Sequence, residues 1–313
     1  MVKPIVVVGS INLDLVAVAP RIPRPGETIA GSTFQTFPGG KGANQAVAAA
    51  RLGAPVSMIG KVGDDDFGLR LKAHLQDCGV NISGVSRVSG PSGIALITID
   101  HHGGNAITVV AGANGEMTPA DVDANLAVIR SAGILLTQLE IPLQTIIYLS
   151  EVAHRERIPL MLDPAPAQPL PSARFKNVDW LTPNEAEACS LLDDAGQQIS
   201  QSNMRSVADR LLQLGSRNVI LKLGDRGCYL ALEDGTRELI PAHAVRAVDT
   251  TAAGDAFNGA FAVGLLQGKS AFESATFAAA VAAISVTRSG AQASMPTAAE
   301  VEEFFSEKLA RNG

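Results

Sequence analysis

The sequence predicts an α/β fold: a doubly wound, mostly parallel central sheet flanked by helices, with a small β-sheet lid. Three observations predict it. Short apolar runs alternate with helix-period segments over most of the chain, the order of βα units joined by right-handed crossovers. Those runs are apolar throughout, as in strands buried on both faces. Two stretches, 13–39 and 93–111, break that rhythm and stand outside the parallel sheet.

Along the chain, strand-like runs fall at Pro4–Gly9, Val56–Gly60, Gly133–Thr137, Ile158–Leu162, Val178–Thr182 and Asn218–Leu223. Helical patterns lie between them at about 42–53, 67–78, 119–131, 142–156, 184–193 and 203–215. Residues 13–39 hold the proline-rich PRIPRPGETIAG with short alternating pieces on either side. GIALITIDHHGGNAITVVA, residues 93–111, reads as a β-hairpin turning at His101–Asn105, with His101 and His102 as solvated turn residues. Neither stretch has a helix after it, so the two together are expected to form a lid at the mouth of a site. An ordinary surface insertion is the plainer reading.

The last third changes character. Cys228–Leu232 and Arg237–Ile240 flank the turn residues Glu233-Asp234-Gly235, a hairpin signal. Two helices rich in Ala and Gly follow, at about 252–267 and 271–287; Phe257, Phe261 and Leu265 share one buried stripe of the first. No repeat or low-complexity linker divides the chain, so residues 1–313 are expected to form a single domain.

Composition narrows the function. The 313 residues are 46% hydrophobic and 18% charged, enough for a sizeable core without disulfides. The formal charge of −6 lacks the basic footprint of a nucleic-acid binder, so no nucleic-acid partner is expected. An anionic substrate then has to be held by helix N-termini and a bound metal. The three cysteines are far apart and without CxxC spacing, which fits a reducing, cytoplasmic setting and neither a disulfide framework nor a zinc site. The start, MVKPIVVVGS, is too soon interrupted for a secretory signal, and no apolar run approaches the roughly 18 residues of a membrane span.

The common phosphate motifs are missing. The first strand ends in Gly9-Ser10-Ile11-Asn12, with one glycine where a dinucleotide fingerprint needs three. Gly40-Lys41-Gly42 starts correctly but has Gln45 at the third glycine position. Gly264-Leu265-Leu266-Gln267-Gly268-Lys269-Ser270 is one residue short of a Walker loop, and Gly268 suits a helix C-cap.

Asp249-Thr250-Thr251-Ala252-Ala253-Gly254-Asp255 precedes the Phe257 helix. With Thr250 or Thr251 as cap, the N–H groups of Ala252, Ala253 and Gly254 are first-turn donors and form an anion site with the helix dipole. Asp255 in the same turn is badly placed to bind phosphate and well placed to take a proton from a hydroxyl attacking it. The same residues also suit an ordinary helix start.

Taken with three further blocks, this segment resembles the ribokinase-like carbohydrate kinases. The blocks are Gly9-Ser10-Ile11-Asn12-Leu13-Asp14, Gly39-Gly40-Lys41-Gly42-Ala43-Asn44 and Thr182-Pro183-Asn184-Glu185-Ala186-Glu187, in order along nearly the whole chain. The stretches Asp163-Pro164-Ala165-Pro166-Ala167 and Val286–Gln292 are similar too.

The resemblance implies ATP-dependent phosphorylation of D-ribose at its 5-hydroxyl, with Asp255 as base and Ala252, Ala253 and Gly254 as anion hole. Asn12, Asp14, Gly39, Gly40, Lys41, Asn44 and Glu140 match sugar-binding positions, and carboxylates and carboxamides there suit vicinal hydroxyls. Asn184 and Glu187 match a motif near Mg²⁺ and the phosphates, and a hard cation suits such oxygen ligands, directly or through water. Lys222, Gly224 and Gly227 match a loop that touches ATP, with Lys222 where relatives commonly carry a threonine-type residue. Asp249, Thr251, Ser285, Arg288, Gly290 and Ser294 match a K⁺ site, several of them through carbonyls. Ala279 departs from the His or Asn that relatives often place beside adenine. The lid of such relatives pairs across a homodimer. Other acceptors (deoxyribose, another sugar or a nucleoside) and a non-catalytic sugar-binding regulator are the alternatives. The intact Asp255 and the loop before it favour the enzyme.

Overall fold

The computed structural model describes residues 3–168, 175–194 and 196–312. The first and last residues of the predicted domain lie outside them.

A nine-stranded sheet forms the centre. Its parallel part is built from β1 (Ile5–Val8), β4 (Val56–Gly63), β5 (Asn81–Val88), β8 (Ile134–Gln138), β9 (Leu160–Asp163), β10 (Trp180–Leu181) and β11 (Asn218–Lys222). The hairpin of β12 (Cys228–Ala231) and β13 (Arg237–Ile240) adds two antiparallel strands. The strand order is β13-β12-β11-β10-β9-β8-β1-β4-β5, so the chain reverses direction of growth beside β1. In sheets of this kind the crevice beyond the strand C-termini at such a reversal is where ligands bind.

Helices cover both faces: α1 (Lys41–Arg51), α2 (Asp66–Asp77), α3 (Pro119–Ala124), α4 (Leu126–Ser131), α5 (Leu143–Glu156), α6 (Glu185–Leu191), α7 (Met204–Gln213), α8 (Ala253–Leu266), α9 (Ala271–Ser285) and α10 (Ala298–Asn312). The faces carry separate cores. Val7 and Met58 pack with α1, α8 and α9, while Val6, Val8 and Leu135 pack with α5 and α7. Alanines and glycines let α8 approach closely: a Cβ on Gly259 would lie 2.7 Å from Ala48 Cβ of α1.

A second sheet has the order β3-β2-β6-β7, from β2 (Asn12–Val18), β3 (Thr33–Gly39), β6 (Gly93–Ile99) and β7 (Asn105–Val110). The two stretches that break the βα rhythm do therefore form one sheet. The β6–β7 turn is held by Asp100, whose Oδ1 accepts the His102 and Gly104 N–H groups at 2.8 and 2.9 Å.

Five sequence expectations need correction. Segment 119–131 is two helices, because Asn125 caps the end of α3 with its Nδ2 donating to the Asp121 carbonyl at 2.8 Å. Segment 13–39 does have a helix after it: β3 ends at Gly39 and α1 begins at Lys41. Strand β5 was not expected; an edge strand with exposed polar residues lacks the continuous apolar signature of its neighbours. The strand expected at Val178–Thr182 is reduced to Trp180–Leu181. Helix α8 is not capped by Thr250 or Thr251. Its N-cap is Ala252, in left-handed conformation at φ 58° with no side-chain cap.

Candidate active site

The predicted residues converge at the C-terminal ends of β1, β8, β9 and β11, where α1 and α8 both begin. Asp255, in the first turn of α8, sits at the bottom and is buried. Its Oδ2 accepts Asn44 Nδ2 at 2.9 Å and its Oδ1 accepts Gln45 Nε2 at 3.0 Å, both from α1. Burial pushes its carboxyl up to about 6, with Lys41 opposing and Asp163 adding to the rise. A carboxyl so poised is a usable base near neutral pH.

Asp14 and Glu140 stand near Asp255, close enough for their charges to act on one another. Asn12 and Asp14 are two apart on β2 and so face the same way. Asn12 Oδ1 accepts Asn114 Nδ2 at 2.7 Å, and Asn114 Oδ1 in turn accepts the Ile11 N–H at 2.9 Å. Burial, then the charges of Glu140 and Asp255, pushes Asp14 up to about 7. Glu140 Oε2 accepts Ser10 Oγ at 2.5 Å and the Lys41 N–H at 3.0 Å, so it ties β1 to the start of α1. Gly40 is the N-cap of α1. Burial works against the Lys41 ammonium, but Asp255, Asp163, Glu140 and Glu187 hold its pKa above the ordinary value.

Beside Asp255 lies a cavity of about 300 Å³ bordered by Lys41, Asp163, Asn184, Glu187, Lys222 and the Ala252–Gly254 turn. Lys222 Nζ lies 3.0 Å from Asp163 Oδ1. Of the three expected N–H donors, Ala253 is turned back onto the Thr250 carbonyl at 3.2 Å, so the anion-binding turn is narrower than the sequence implied. Asn184 and Glu187 form a capping box: Asn184 Oδ1 accepts the Glu187 N–H at 2.9 Å and Glu187 Oε2 accepts the Asn184 N–H at 2.7 Å. Burial raises the Glu187 pKa, with Lys222 opposing. Pro183 thus precedes the cap rather than opening the helix.

An apolar chamber of about 440 Å³ shares Gly224, Thr250 and Ala253 with this cavity. Val245, Phe257, Ala279, Ala282 and Val286 line it, and Gly227 borders it. The two chambers together offer a charged end and an apolar end.

The six positions implied for a monovalent cation are brought together in part. Asp249 Oδ1 accepts the Thr251 N–H and its Oδ2 the Gly290 N–H, both at 2.9 Å. The Ser285 carbonyl accepts the Arg288 N–H at 3.1 Å. Arg288 itself turns to Glu300 at 2.7 Å, and Ser294 Oγ donates to the Ala291 carbonyl at 2.8 Å.

Sequence reading missed Asp163, Gln45 and Asn114 as site residues. Asp163 ends β9 at the same sheet edge as Glu140 and Lys222, and its position at a strand C-terminus was the available signal. Gln45 was noticed only for not being glycine.

This fold and site define a sugar kinase of the α/β type. The family model for pfkB family carbohydrate kinase matches residues 2–298, and the chain belongs to that family. It is 42% identical over 312 residues to the ribokinase of Schizosaccharomyces pombe, covering 97% of this chain and 98% of that one. The deoxyribokinase of Salmonella typhi is 35% identical, with 96% and 98% covered. Among solved structures, that of Arabidopsis thaliana ribokinase complexed with ribose and ATP superposes with a TM-score of 0.91 at 36% identity, covering 97% of this chain and 99% of that one.

Proposed function

We propose that the chain transfers the γ-phosphoryl group of ATP to the 5-hydroxyl of D-ribose, giving D-ribose 5-phosphate and ADP. The observation that carries this reading is the place of Asp255. Its carboxylate borders a phosphate-sized cavity at the start of α8, and Asp14 and Glu140, suited to sugar hydroxyls, stand near it. The similarity to ribokinases over nearly the whole chain supports ribose as the acceptor.

In this reading Asn12 and Asp14 bind the sugar hydroxyls, with Gly39 and Gly40 letting backbone come close. Asp255 takes the proton of the 5-hydroxyl as its oxygen bonds to the γ-phosphorus. The bond from that phosphorus to the bridging oxygen breaks, and ADP leaves with the electron pair. Lys41, Lys222 and the N–H groups of Ala252 and Gly254 offset the charge on the transferred group, which is where most of the catalytic effect of such sites arises. The apolar chamber takes the base; with Ala279 in its wall, the nucleotide is held there by packing rather than by a polar contact from that position.

Magnesium, when bound, would supply positive charge to the phosphates. Asn184 and Glu187 border the cavity and offer oxygens, and among the described residues no cluster of three or more His, Cys, Asp and Glu is placed to hold a metal. Phosphate oxygens and water would therefore complete its coordination. The two segments that carry Asp249 and Thr251 and, beyond α9, Ser285, Arg288, Gly290 and Ser294 meet through Asp249 and Gly290, and their oxygens would suit K⁺.

Residues 1–313 act as one domain, with the second sheet as lid over the sugar. The lid has two faces. Strand register puts Asn12 and Asp14 on one, and Leu15, Phe34, Leu96 and Val110 on the other. Phe34 is 66% and Leu96 46% exposed, and a second copy of the chain would cover them as a homodimer. Among the described residues no helix is long and apolar enough to cross a membrane, and the three cysteines are free; both agree with a cytoplasmic location.

ADP release measured with ATP, Mg²⁺ and K⁺ over a panel of ribose, deoxyribose, fructose and nucleosides tests the reading. A clear preference for ribose supports it. A preference for deoxyribose keeps the mechanism and moves the chain toward its deoxyribokinase relatives. Sugar binding without turnover of any of them makes it a regulator.

A further inference from the structure

Two chains of side-chain amides end on the two oxygens of Asp255. One runs outward through Asn44, Gln292 and His74. Asn44 Nδ2 donates to Asp255 Oδ2 at 2.9 Å, Gln292 Nε2 donates to Asn44 Oδ1 at 3.0 Å, and His74 Nε2 lies 2.8 Å from Gln292 Oε1. The other runs through Gln45 and Gln138. Gln45 Nε2 donates to Asp255 Oδ1 at 3.0 Å and to Asp163 Oδ2 at 3.0 Å, and Gln138 Nε2 donates to Gln45 Oε1 at 2.7 Å. Asn44, Gln45, Gln138 and Gln292 are buried, and His74 is half-buried on α2.

Every N–H in both chains points toward the carboxylate, and that polarity is not optional. An ionised Asp255 accepts only, so Asn44 must present its NH₂ and Gln45 its own. Asn44 Oδ1 then needs a donor, which turns the Gln292 amide. Gln292 Oε1 in turn needs a donor, and His74 can be one only while Nε2 carries a proton. Were Gln292 reversed, its oxygen would meet the Asn44 oxygen, and the easiest relief would turn Asn44 oxygen-first onto Asp255. A carboxyl facing that oxygen holds its proton rather than taking one.

We propose that Gln292 and His74 are positioning residues for the base: the His74 Nε2–H sets the direction of the outer amide chain and thereby holds Asp255 ionised, with a fixed lone pair left for the sugar hydroxyl. This rests on the reading of Asp255 as the base. Neither residue touches substrate, and neither is within 200 positions of the other in sequence, since the contact spans 218 residues. Lys41 and Asp163 also face Asp255, and Cys78 Sγ lies 3.5 Å from His74 Nε2.

The test uses the full chain and four variants, with ribose, ATP, Mg²⁺ and K⁺. Gln292→Met keeps the volume and removes both bonds. Its kcat falls about tenfold while both KM values stay within about twofold, as expected of a misaimed group with intact binding. The acid limb of its kcat profile moves to higher pH. His74→Phe does the same to a smaller degree, and His74→Gln, which keeps an N–H at the Nε2 position, recovers most of the loss. An unmoved acid limb in both Gln292→Met and His74→Phe overturns the proposal. So does a loss of kcat matched by equal changes in KM and melting temperature, which marks a merely structural role. Should Gln292→Met fail to fold, the His74 pair decides alone. Asp255→Asn separates the two levels: if it keeps its kcat, the base assignment has failed; if it is inactive while the other variants match the wild type, only the amide chain has.

Discussion

The Asp14 carboxylate lies directly against Gly39: a Cβ built on Gly39 would be 2.3 Å from Asp14 Oδ2. The two residues are on paired strands, offset by two positions, so their side-chain directions meet on one face of the second sheet, the face proposed to cover the sugar. Gly39→Ala therefore drives the carboxylate off its place. The KM for ribose rises at least about tenfold and that for ATP stays within about twofold, since lost hydrogen bonds to a charged group cost about 1.5–3 kcal/mol. Steady-state kinetics with each substrate varied in turn checks it; equal rises in both KM values would point to a general loosening.

Gly93 stands to Asn12 as Gly39 does to Asp14. A Cβ there would lie 2.3 Å from Asn12 Oδ1 and 2.1 Å from Asn114 Nδ2. Gly93→Ala breaks the Asn114–Asn12 bond and weakens ribose binding by about tenfold, read by calorimetry without nucleotide. Unchanged affinity would remove Asn12 from the sugar site.

Asp255→Asn leaves Asn44 and Gln45 partly satisfied and removes the base. The kcat falls by about 10³, within the range for loss of a general base, and ribose affinity changes by less than about threefold. The acid limb of wild-type kcat/KM falls near pH 6, where Asp255 titrates with Lys41 close by. A flat profile between pH 5 and 7 would exclude this carboxyl as the base.

Much of this arrangement was legible in the sequence. The Asp255 turn and the Asn184–Glu187 helix start are local, and each is met at the start of a helix; Asn12 and Asp14, expected at the end of the first strand, instead open β2 of the second sheet, because β1 stops at Val8. The continuous apolar runs of β1, β4 and β8 marked the parallel sheet because burial on both faces leaves no polar alternation to confuse. Partners that arrive from far away were not legible. Gln45 and Asp163 reach Asp255, and Gln292 reaches Asn44 beside it, only because the start of α1, the end of β9 and the segment after α9 come together at one place, and amides carry no periodic signal. The Ala252 cap was hidden for another reason: a non-glycine residue at φ 58° is unfavourable on its own and is imposed by its surroundings.

Asp14 should cost the protein stability. Burial pushes its carboxyl up to about 7 from the ordinary 3.8, so the folded state binds this proton more tightly than the unfolded chain does. The stabilisation is full below about pH 4 and is lost as pH rises through 7. Asp14→Asn removes the penalty: in urea titrations the variant is more stable than wild type by up to about 4 kcal/mol at pH 8 and equal to it near pH 4. It binds ribose more weakly at both. A variant less stable than wild type at pH 8 would mean that the carboxylate is better solvated or paired than its burial indicates.

The two faces of the second sheet make opposite predictions for assembly. Leu96 is on the face away from Asp14, while Ile107, 55% exposed, is on the Asp14 face. A carboxylate placed in a buried apolar contact between copies is not paired there and opposes association. In the proposed homodimer, Leu96→Glu should therefore sediment as a monomer at micromolar concentration, where the wild type is expected to sediment as a dimer. Ile107→Glu is expected to stay dimeric and instead to raise the KM for ribose, because its side chain is on the sheet face that carries Asp14, the face proposed to cover the sugar. If Ile107→Glu dissociates and Leu96→Glu does not, the copies meet through the sugar-facing side, and the lid cannot then close over ribose within one chain alone.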